Sequence, residues 1–540
     1  MKIIRIARIL NAQSSNCLVC NFQKRSKTIV RLNYTFQKNS NYINLHNIIS
    51  NFYKPSCDVN PIKSKRYFSS TIENDNTNKL NHSDNLVKEH NEQIQQENEF
   101  TNCDNNAELL KKSNANPIGV DDVKNEKQKK KISRFYLDSQ ATTMIDPRVF
   151  DKMIPYMTYV YGNSHSRNHF FGWESENAVE EARENIIRLI NGKNNKEIIF
   201  TSGATESNNL AIIGICTYYN NINKNKNHII TSQIEHKCIL QSCRYLQTKG
   251  FEVTYLKPNQ KGIIELEDIK KNIKPNTILA SFIFVNNEIG VIQDIKNIGK
   301  MCKENQILFH TDASQAIGKV PIDVQEMNID LMSISAHKIY GPKGIGALFI
   351  KRKKPNIRLN AMMHGGGQER GMRSGTLPTH LIVGLGEAIQ LCSREMERDN
   401  KKLIFFFNYV KQYLSKNLDY IIFNGCQINR YHGNLNISFL FVEGESLLMS
   451  LNDIALSSGS ACTSNTLEPS YVLRSIGVSE DIAHTSIRIG FNRFTTFFEV
   501  QKLCVDLVNS VKRLRSISPL YEMELEKNNS SSDTLQFVWT

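Results

Sequence analysis

From Arg134 onward the chain alternates between two kinds of hydrophobic pattern. Short, largely apolar runs fall at Glu197 to Phe200, His228 to Thr231, Val253 to Leu256, Ile278 to Val285, Ile307 to His310, Leu331 to Ser335 and Ala347 to Ile350. Stretches with helical spacing, such as Glu174 to Ile190, lie between them. This alternation predicts an α/β fold with a mostly parallel sheet, whose ligand lies beyond the carboxyl ends of the strands. From about Lys401 the pattern changes to a helix, short strands around Asn434 to Phe441 and two further helices, a smaller α+β domain. The expected divisions are a lead-in segment 133–147 packing with the small domain, a large domain 148–395, and a small domain 396–525.

The upstream residues have a different character. Residues 71–132 are rich in Asn, Glu, Lys and Gln and poor in large apolar groups, so they cannot offset their chain entropy and are expected to form a disordered linker. Residues 1–70 scatter Lys and Arg among Ser, Asn and apolar residues, with no acid before Asp58. That is the composition of a mitochondrial presequence for matrix import or of a disordered basic tail, and a plastid transit peptide shares much of it. Lys65-Arg66-Tyr67-Phe68-Ser69 looks like a matrix-processing site with the cut ahead of Ser69.

Charge and cysteine usage narrow the class. Twelve Lys and Arg against one Asp in the first seventy residues carry +11 of the net charge of +14, so the folded part has no basic excess suited to nucleic acid. No run approaches the roughly 18 apolar residues of a membrane span. The 12 cysteines lack the dense spacing of a secreted disulfide scaffold. Cys17 and Cys20 form a C-x-x-C with no second pair to complete a zinc site. Cys216, Cys238, Cys243, Cys302 and Cys392 fall in apolar-periodic segments and are expected to be buried and inert.

Four stretches carry candidate chemistry. In Ser333-Ile334-Ser335-Ala336-His337-Lys338-Ile339-Tyr340-Gly341-Pro342-Lys343-Gly344, a strand delivers Lys338 into a Gly/Pro-rich turn. That lysine is either an ordinary solvated one or an amine that forms an imine with a carbonyl cofactor, with Ser335 and His337 placed to hold a phosphate. Phe200 to Asn209, with Ala204 and Thr205 at its turn, follows a strand and opens a helix whose free N–H groups would cup an anion. Asp312 ends another strand, as a helix cap or as the partner of a protonated pyridine nitrogen. Cys462 sits among small residues in Ser457-Ser458-Gly459-Ser460-Ala461-Cys462-Thr463, without apolar periodicity, and is expected to be exposed and movable.

Taken in order, these stretches resemble the fold-type I pyridoxal-phosphate enzymes, and within them the IscS-type cysteine desulfurases. The likeness runs from about Arg134 to the C-terminus through LDSQATT, FGWESE, TSGATESNN, EHK, VNNEIG, DASQ, SAHKIYGPKGIGA, HGGGQERGMRSGT, VEGES, SSGSACTS, LEPSYVLR and SPLYEM. It implies an L-cysteine desulfurase in which Lys338 holds pyridoxal 5'-phosphate, His236 stacks on the ring and shuttles protons, and Cys462 accepts the sulfur as a persulfide. It also implies that Asn287 and Gln315 share the phenolic oxygen, that Asn287 and Arg488 bind the substrate carboxylate, and that Thr376 reaches the neighbouring subunit's phosphate in an obligate homodimer. Arg493 is the nearby competitor of Arg488. Ser139-Gln140 departs from the family pattern near the substrate entrance.

The resemblance extends to partners. It implies sulfur delivery to an IscU-type iron–sulfur scaffold, with Cys462 also a transient ligand shared with the scaffold's cluster, together with a small LYR-type accessory subunit and frataxin. The tail 526–540 ends in Phe537 and Trp539, costly to leave in water, so it is expected to dock either on a partner, with Trp539 as anchor, or on its own subunit. Two rival activities are a selenocysteine lyase and another class V aminotransferase, the latter needing no Cys462. A third rival is a catalytically silent partner, which the joint presence of Lys338, Asp312, His236 and Cys462 opposes.

Overall fold

The computed structural model describes residues 134–458 and 469–530, together with the backbone of four short strands between residues 21 and 42. Two units divide after Asn125. In the first, Asn21–Arg25 pairs antiparallel with Ile29–Asn33, and Gln37–Lys38 with Asn41–Tyr42. The rest of the expected presequence and the linker up to residue 132 lie outside the described residues.

The second unit begins with β1 (Phe135–Tyr136), α1 (Pro147–Met157) and α2 (Phe170–Leu189). There follow β2 (Ile198–Thr201), α3 (Ala204–Asn209), β3 (His228–Ser232), α4 (Lys237–Gln247), β4 (Glu252–Leu256), β5 (Thr277–Ile283), β6 (Leu308–Asp312), β7 (Leu331–Ser335) and β8 (Gly346–Ile350). These strands form one seven-stranded sheet in the order β2-β8-β7-β6-β5-β3-β4. Every pair is parallel except those of β8, which runs antiparallel to both β7 and β2. The connection from Ser335 to Gly346 is too short for a crossover helix, so the chain can only return in the opposite direction. Every residue of β2, β3, β5, β7 and β8 is buried, the state expected for strands covered by helices on both faces.

Helix α5 (Thr379–Asn417) is 39 residues long, about 58 Å at 1.5 Å per residue, and packs against α1 and α2. Its crossing with α2 is close: a Cβ on Gly386 would lie 2.7 Å from that of Ala182, so only glycine fits there. The expected domain boundary at 395 falls inside this one continuous helix. Beyond it, β9 (Ile421–Phe423), β10 (Asn434–Phe439) and β12 (Ser486–Gly490) form an antiparallel sheet, and α6 (Phe497–Arg515) and α7 (Pro519–Ser530) close the described chain. Strand β12 and three short helices, Gly444–Ser450, Tyr471–Ser475 and Glu480–His484, add to the expected helix and strands.

Two devices tie the lead-in segment to this C-terminal layer. Strand β1 pairs in parallel with β11 (Ile454–Ala455), and Asp138 bridges to Gly490. Arg493, buried, pairs with Asp146 at 3.2 Å, Glu395 at 3.2 Å and Asp399 at 3.0 Å, with its guanidinium 4.2 Å from the Tyr340 ring centroid. One cation thus joins the lead-in, the long helix and the turn after Lys338. These chemistry-bearing segments sit at one edge of the sheet, beyond the carboxyl ends of β2, β3, β5, β6 and β7.

Candidate active site

A cleft of about 480 Å³ opens at that edge. Ala204, Thr205, His236, Asn287, Asp312, Gln315, Ser335, His337, Lys338 and Arg488 all line it, so ten of the twelve residues singled out for the site converge. Thr376 is exposed and does not line the cleft of its own chain, and Cys462 falls within 459–468, outside the described residues.

Lys338 and Asp312 stand at or just beyond a strand end, His236 at a helix start and Arg488 within a strand. Lys338 closes a single 3-10 turn after β7, and its Nζ donates to the carbonyl oxygens of Gln140 and Ala141, the latter at 2.8 Å. Asp312 ends β6; its Oδ1 accepts from the Ser314 N–H at 2.9 Å and from the Ser314 hydroxyl, and its Oδ2 accepts from Asn208 Nδ2 at 2.8 Å. His236 caps α4, with Nδ1 accepting from the Cys238 N–H at 3.2 Å, which leaves Nε2 to carry the proton of the neutral ring. Arg488, 1% exposed, donates through Nη2 to Asp138 Oδ1 at 2.7 Å and through Nη1 to the Asn287 carbonyl at 3.0 Å, while its Nε–H has no partner.

The cleft is polarised. At one end α3 starts on Gly203, whose lack of a side chain leaves the first-turn N–H groups uncapped, and the buried Ser335 Oγ has no partner. Lys338 and Lys343 line the same cleft. Burial, reinforced by the charges of Lys338, Lys319 and Lys343, pushes His337 down to about 4, so it is a neutral hydrogen-bonding group, with Nδ1 3.0 Å from Thr142 Oγ1. An anion placed here would satisfy the orphaned hydroxyl and the helix start together. Glu206, the one acid at the cup, is turned to Arg373 at 2.9 Å, which also ties down the glycine-rich loop.

Residues 135–503 match the profile of the family Aminotransferase class-V. Over 422 residues the chain is 81% identical to Cysteine desulfurase IscS of Plasmodium falciparum (isolate 3D7), covering 78% of this chain and 76% of that one. It is 56% identical over 391 residues to Cysteine desulfurase, mitochondrial, of Drosophila melanogaster, covering 72% and 84%. Among solved structures a NifS-like protein aligns with a TM-score of 0.65 at 32% identity, covering 70% of this chain and 99% of that one. A structure described as SspA in complex with cysteine gives 0.60 at 38% identity, covering 67% and 100%. The chain belongs to the IscS-type cysteine desulfurases.

Within this desulfurase cleft one expectation is overturned. Cys238 is not an inert core thiol: it is half-buried and lines the cleft, its Sγ lies 3.0 Å from His236 Nδ1, and it accepts from Asn208 Nδ2 at 3.2 Å. Cys216, Cys243, Cys302 and Cys392 are buried as expected, with burial pushing Cys243 and Cys302 up to about 12. Asn208, Ser314, Thr142 and Lys343 also line the site without having been singled out. Asn208 was legible, since it follows Ala204 by four residues and so shares its helix face. Arg493, the competitor of Arg488, does not line the cleft and belongs to the ion network around Asp146, Glu395 and Asp399. Of the departing pair, Gln140 lines the cleft, whereas Ser139 Oγ donates away from it to the Gly490 carbonyl at 3.0 Å.

The flanks of residues 459–468 are anchored at the cleft. Ser457 exchanges backbone hydrogen bonds with Arg488, and the Ser470 hydroxyl donates to Glu288. Burial pushes the Glu288 carboxyl up to about 7 against the opposing pull of Ser470 and Arg488.

Proposed function

We propose that the chain uses pyridoxal 5'-phosphate to remove sulfur from L-cysteine, giving L-alanine and a persulfide on Cys462. The observation that carries this reading is the convergence of Lys338, Asp312, His236 and Arg488 on one cleft whose far end is built for an anion. The residues fit the cofactor: the α3 start, Ser335 Oγ and His337 suit its phosphate, Asp312 its pyridine nitrogen, and Gln315 and Asn287 its phenolic oxygen. When bound, it supplies an electron sink that makes the substrate's α-proton removable.

The chain's own groups do the rest. Lys338 would hold the cofactor covalently, and Lys338 or His236 would move the α-proton. Arg488 takes the substrate carboxylate through its fork. Cys462, as thiolate, attacks the substrate sulfur; an S–S bond forms, the C–S bond breaks, and its electron pair leaves with the carbon product, which takes up a proton to become alanine. In the homodimer we propose, Thr376 completes the neighbouring subunit's phosphate site. The acid-poor basic leader and the mitochondrial relative support import into mitochondria. There the persulfide sulfur would pass to an IscU-type scaffold building iron–sulfur clusters, with a LYR-type subunit and frataxin as accessory partners.

The deciding experiment measures alanine and sulfide released from L-cysteine in the presence of a thiol reductant. Wild type should release both in equal amounts; Cys462→Ser should keep the cofactor's visible absorbance but form no persulfide. Wild-type sulfide release from Cys462→Ser would remove Cys462 from the mechanism.

A further inference from the structure

Lys319 is buried, yet it takes part in none of the ion pairs among the described residues. An amine without an anionic partner in such a place is costly, and burial, aided by the charge of Lys338, brings it down to about 7. Its contacts explain what it is for. The Nζ donates to Gln315 Oε1 at 2.7 Å and lies 5.3 Å from the Tyr431 ring centroid. Gln315 lines the cleft; Lys319 stands behind it.

The two ends of an amide are alike in shape, and only their partners decide which faces which way. Near neutral pH both forms of Lys319 are populated, and each offers an N–H to Oε1. With Oε1 engaged from behind, Nε2 is turned forward, where it donates to the Gln140 carbonyl at 2.9 Å. That same carbonyl accepts from Lys338 Nζ. The chain of contacts therefore runs from a buried amine, through one amide, to the carbonyl that holds the reactive amine.

We propose that Lys319 is a positioning residue that fixes the Gln315 amide with its N–H group toward the cleft, making Gln315 an obligate donor to an acceptor oxygen bound there. This deepens the cofactor reading above and rests on it, the acceptor being the phenolic oxygen of pyridoxal phosphate.

The test follows cofactor release from the full-length holoenzyme as decay of its visible band on dilution, for wild type, Lys319→Met, Gln315→Ala and the double variant. Lys319→Met should speed release about five- to tenfold alone, the worth of roughly one hydrogen bond, but less than about twofold in the Gln315→Ala background. It should also move the absorbance maximum in the same direction as Gln315→Ala, which a purely structural role would not do. Equal factors in both backgrounds, or an unchanged rate and spectrum, would overturn the proposal. Gln315→Glu, which leaves Lys319 in place but offers no donor to the cleft, should release cofactor as fast as Gln315→Ala; retention equal to wild type would overturn the donor role even if Lys319→Met does not fold. A wild-type protein that carries no cofactor would bring down the cofactor reading and this inference together, whereas wild-type binding with additive factors removes the positioning role alone.

Discussion

Arg488→Lys retains a positive charge in β12 while removing the planar fork. In the structure two of the fork's arms are engaged, Nη2 with Asp138 at 2.7 Å and Nη1 with the Asn287 carbonyl at 3.0 Å, and Nε–H is buried without a partner. A substrate carboxylate entering the cleft would supply that missing acceptor. A lysine ammonium is a point charge on a stem that ends short of the fork, and it cannot hold Asp138 and grip a carboxylate bidentately at once. Hydrogen bonds to charged groups are worth about 1.5–3 kcal/mol each. Losing one to two of them from the substrate costs about 2–4 kcal/mol, a roughly 30- to 1000-fold fall in kcat/KM. A carboxylate gripped equally before and during the reaction contributes uniform binding, so the loss should fall mainly on KM.

The assay is alanine formation against L-cysteine concentration at fixed reductant, with the cofactor's visible absorbance as a check that the cleft is loaded. Arg493→Lys is the matched control, because Arg493 sits in the ion network joining Asp146, Glu395 and Asp399 and does not line the cleft. It should lower the Tm by several degrees through the weakened buried network and leave KM alone. A folded, loaded Arg488→Lys with KM within twofold of wild type would refute the clamp assignment, and a KM rise in Arg493→Lys matching that of Arg488→Lys would show that the effect is not local.

Lys338→Ala should lose the visible band of covalently held cofactor while its far-UV circular dichroism stays that of wild type; an unchanged band would exclude it as the attachment site. Glu288→Gln should change the pH dependence of stability. With its folded pKa raised to about 7 from an ordinary 4.5, Glu288 contributes stability that is full below pH 4.5 and lost as pH rises through 7, so the variant should exceed wild type in urea unfolding at pH 8 by up to about 3 kcal/mol and match it near pH 4.5. A constant difference across that range would show that the carboxyl's titration is not the cause.

Where the sequence was legible, burial made it so. A strand covered on both faces is largely apolar, and the runs at His228, Ile278 and Leu331 therefore gave β3, β5 and β7 to within a residue or two. The same property hides direction, because the run at Ala347 looks alike whichever way it enters the sheet; only the short linker before it reveals the antiparallel return of β8. The boundary at 395 was illegible because α5 keeps its helical period through it. Cys238 and Cys243 show how a site residue escapes notice. Both lie in the apolar-periodic stretch of α4, but five residues of helix turn through about 500°, setting them roughly 140° apart. One faces the core and the other His236, and a reading that averages over the helix cannot separate them.

Burial explains why two further acids, Glu288 near Arg488 and Glu235 near His236, do not spoil the cleft. Glu235 and Glu288 are both fully enclosed behind its wall, and burial pushes them up to about 8 and about 7. Glu235 accepts from the Ile283 N–H at 3.0 Å and from the Ser232 hydroxyl at 2.6 Å, and Glu288 accepts from Ser470. Burial outweighs these donors, which favour the carboxylate form, so at neutral pH Glu235 is largely, and Glu288 about half, in the uncharged form. Among the described residues the fork of Arg488 then pairs with one carboxylate, Asp138, which orients it and leaves its Nε–H without a partner. His337 is neutral as well, pushed down to about 4 by burial first and then by the charges of Lys338, Lys319 and Lys343. The function proposed for the site would place a phosphate beside His337 and a substrate carboxylate at Arg488, both of which line the one cleft.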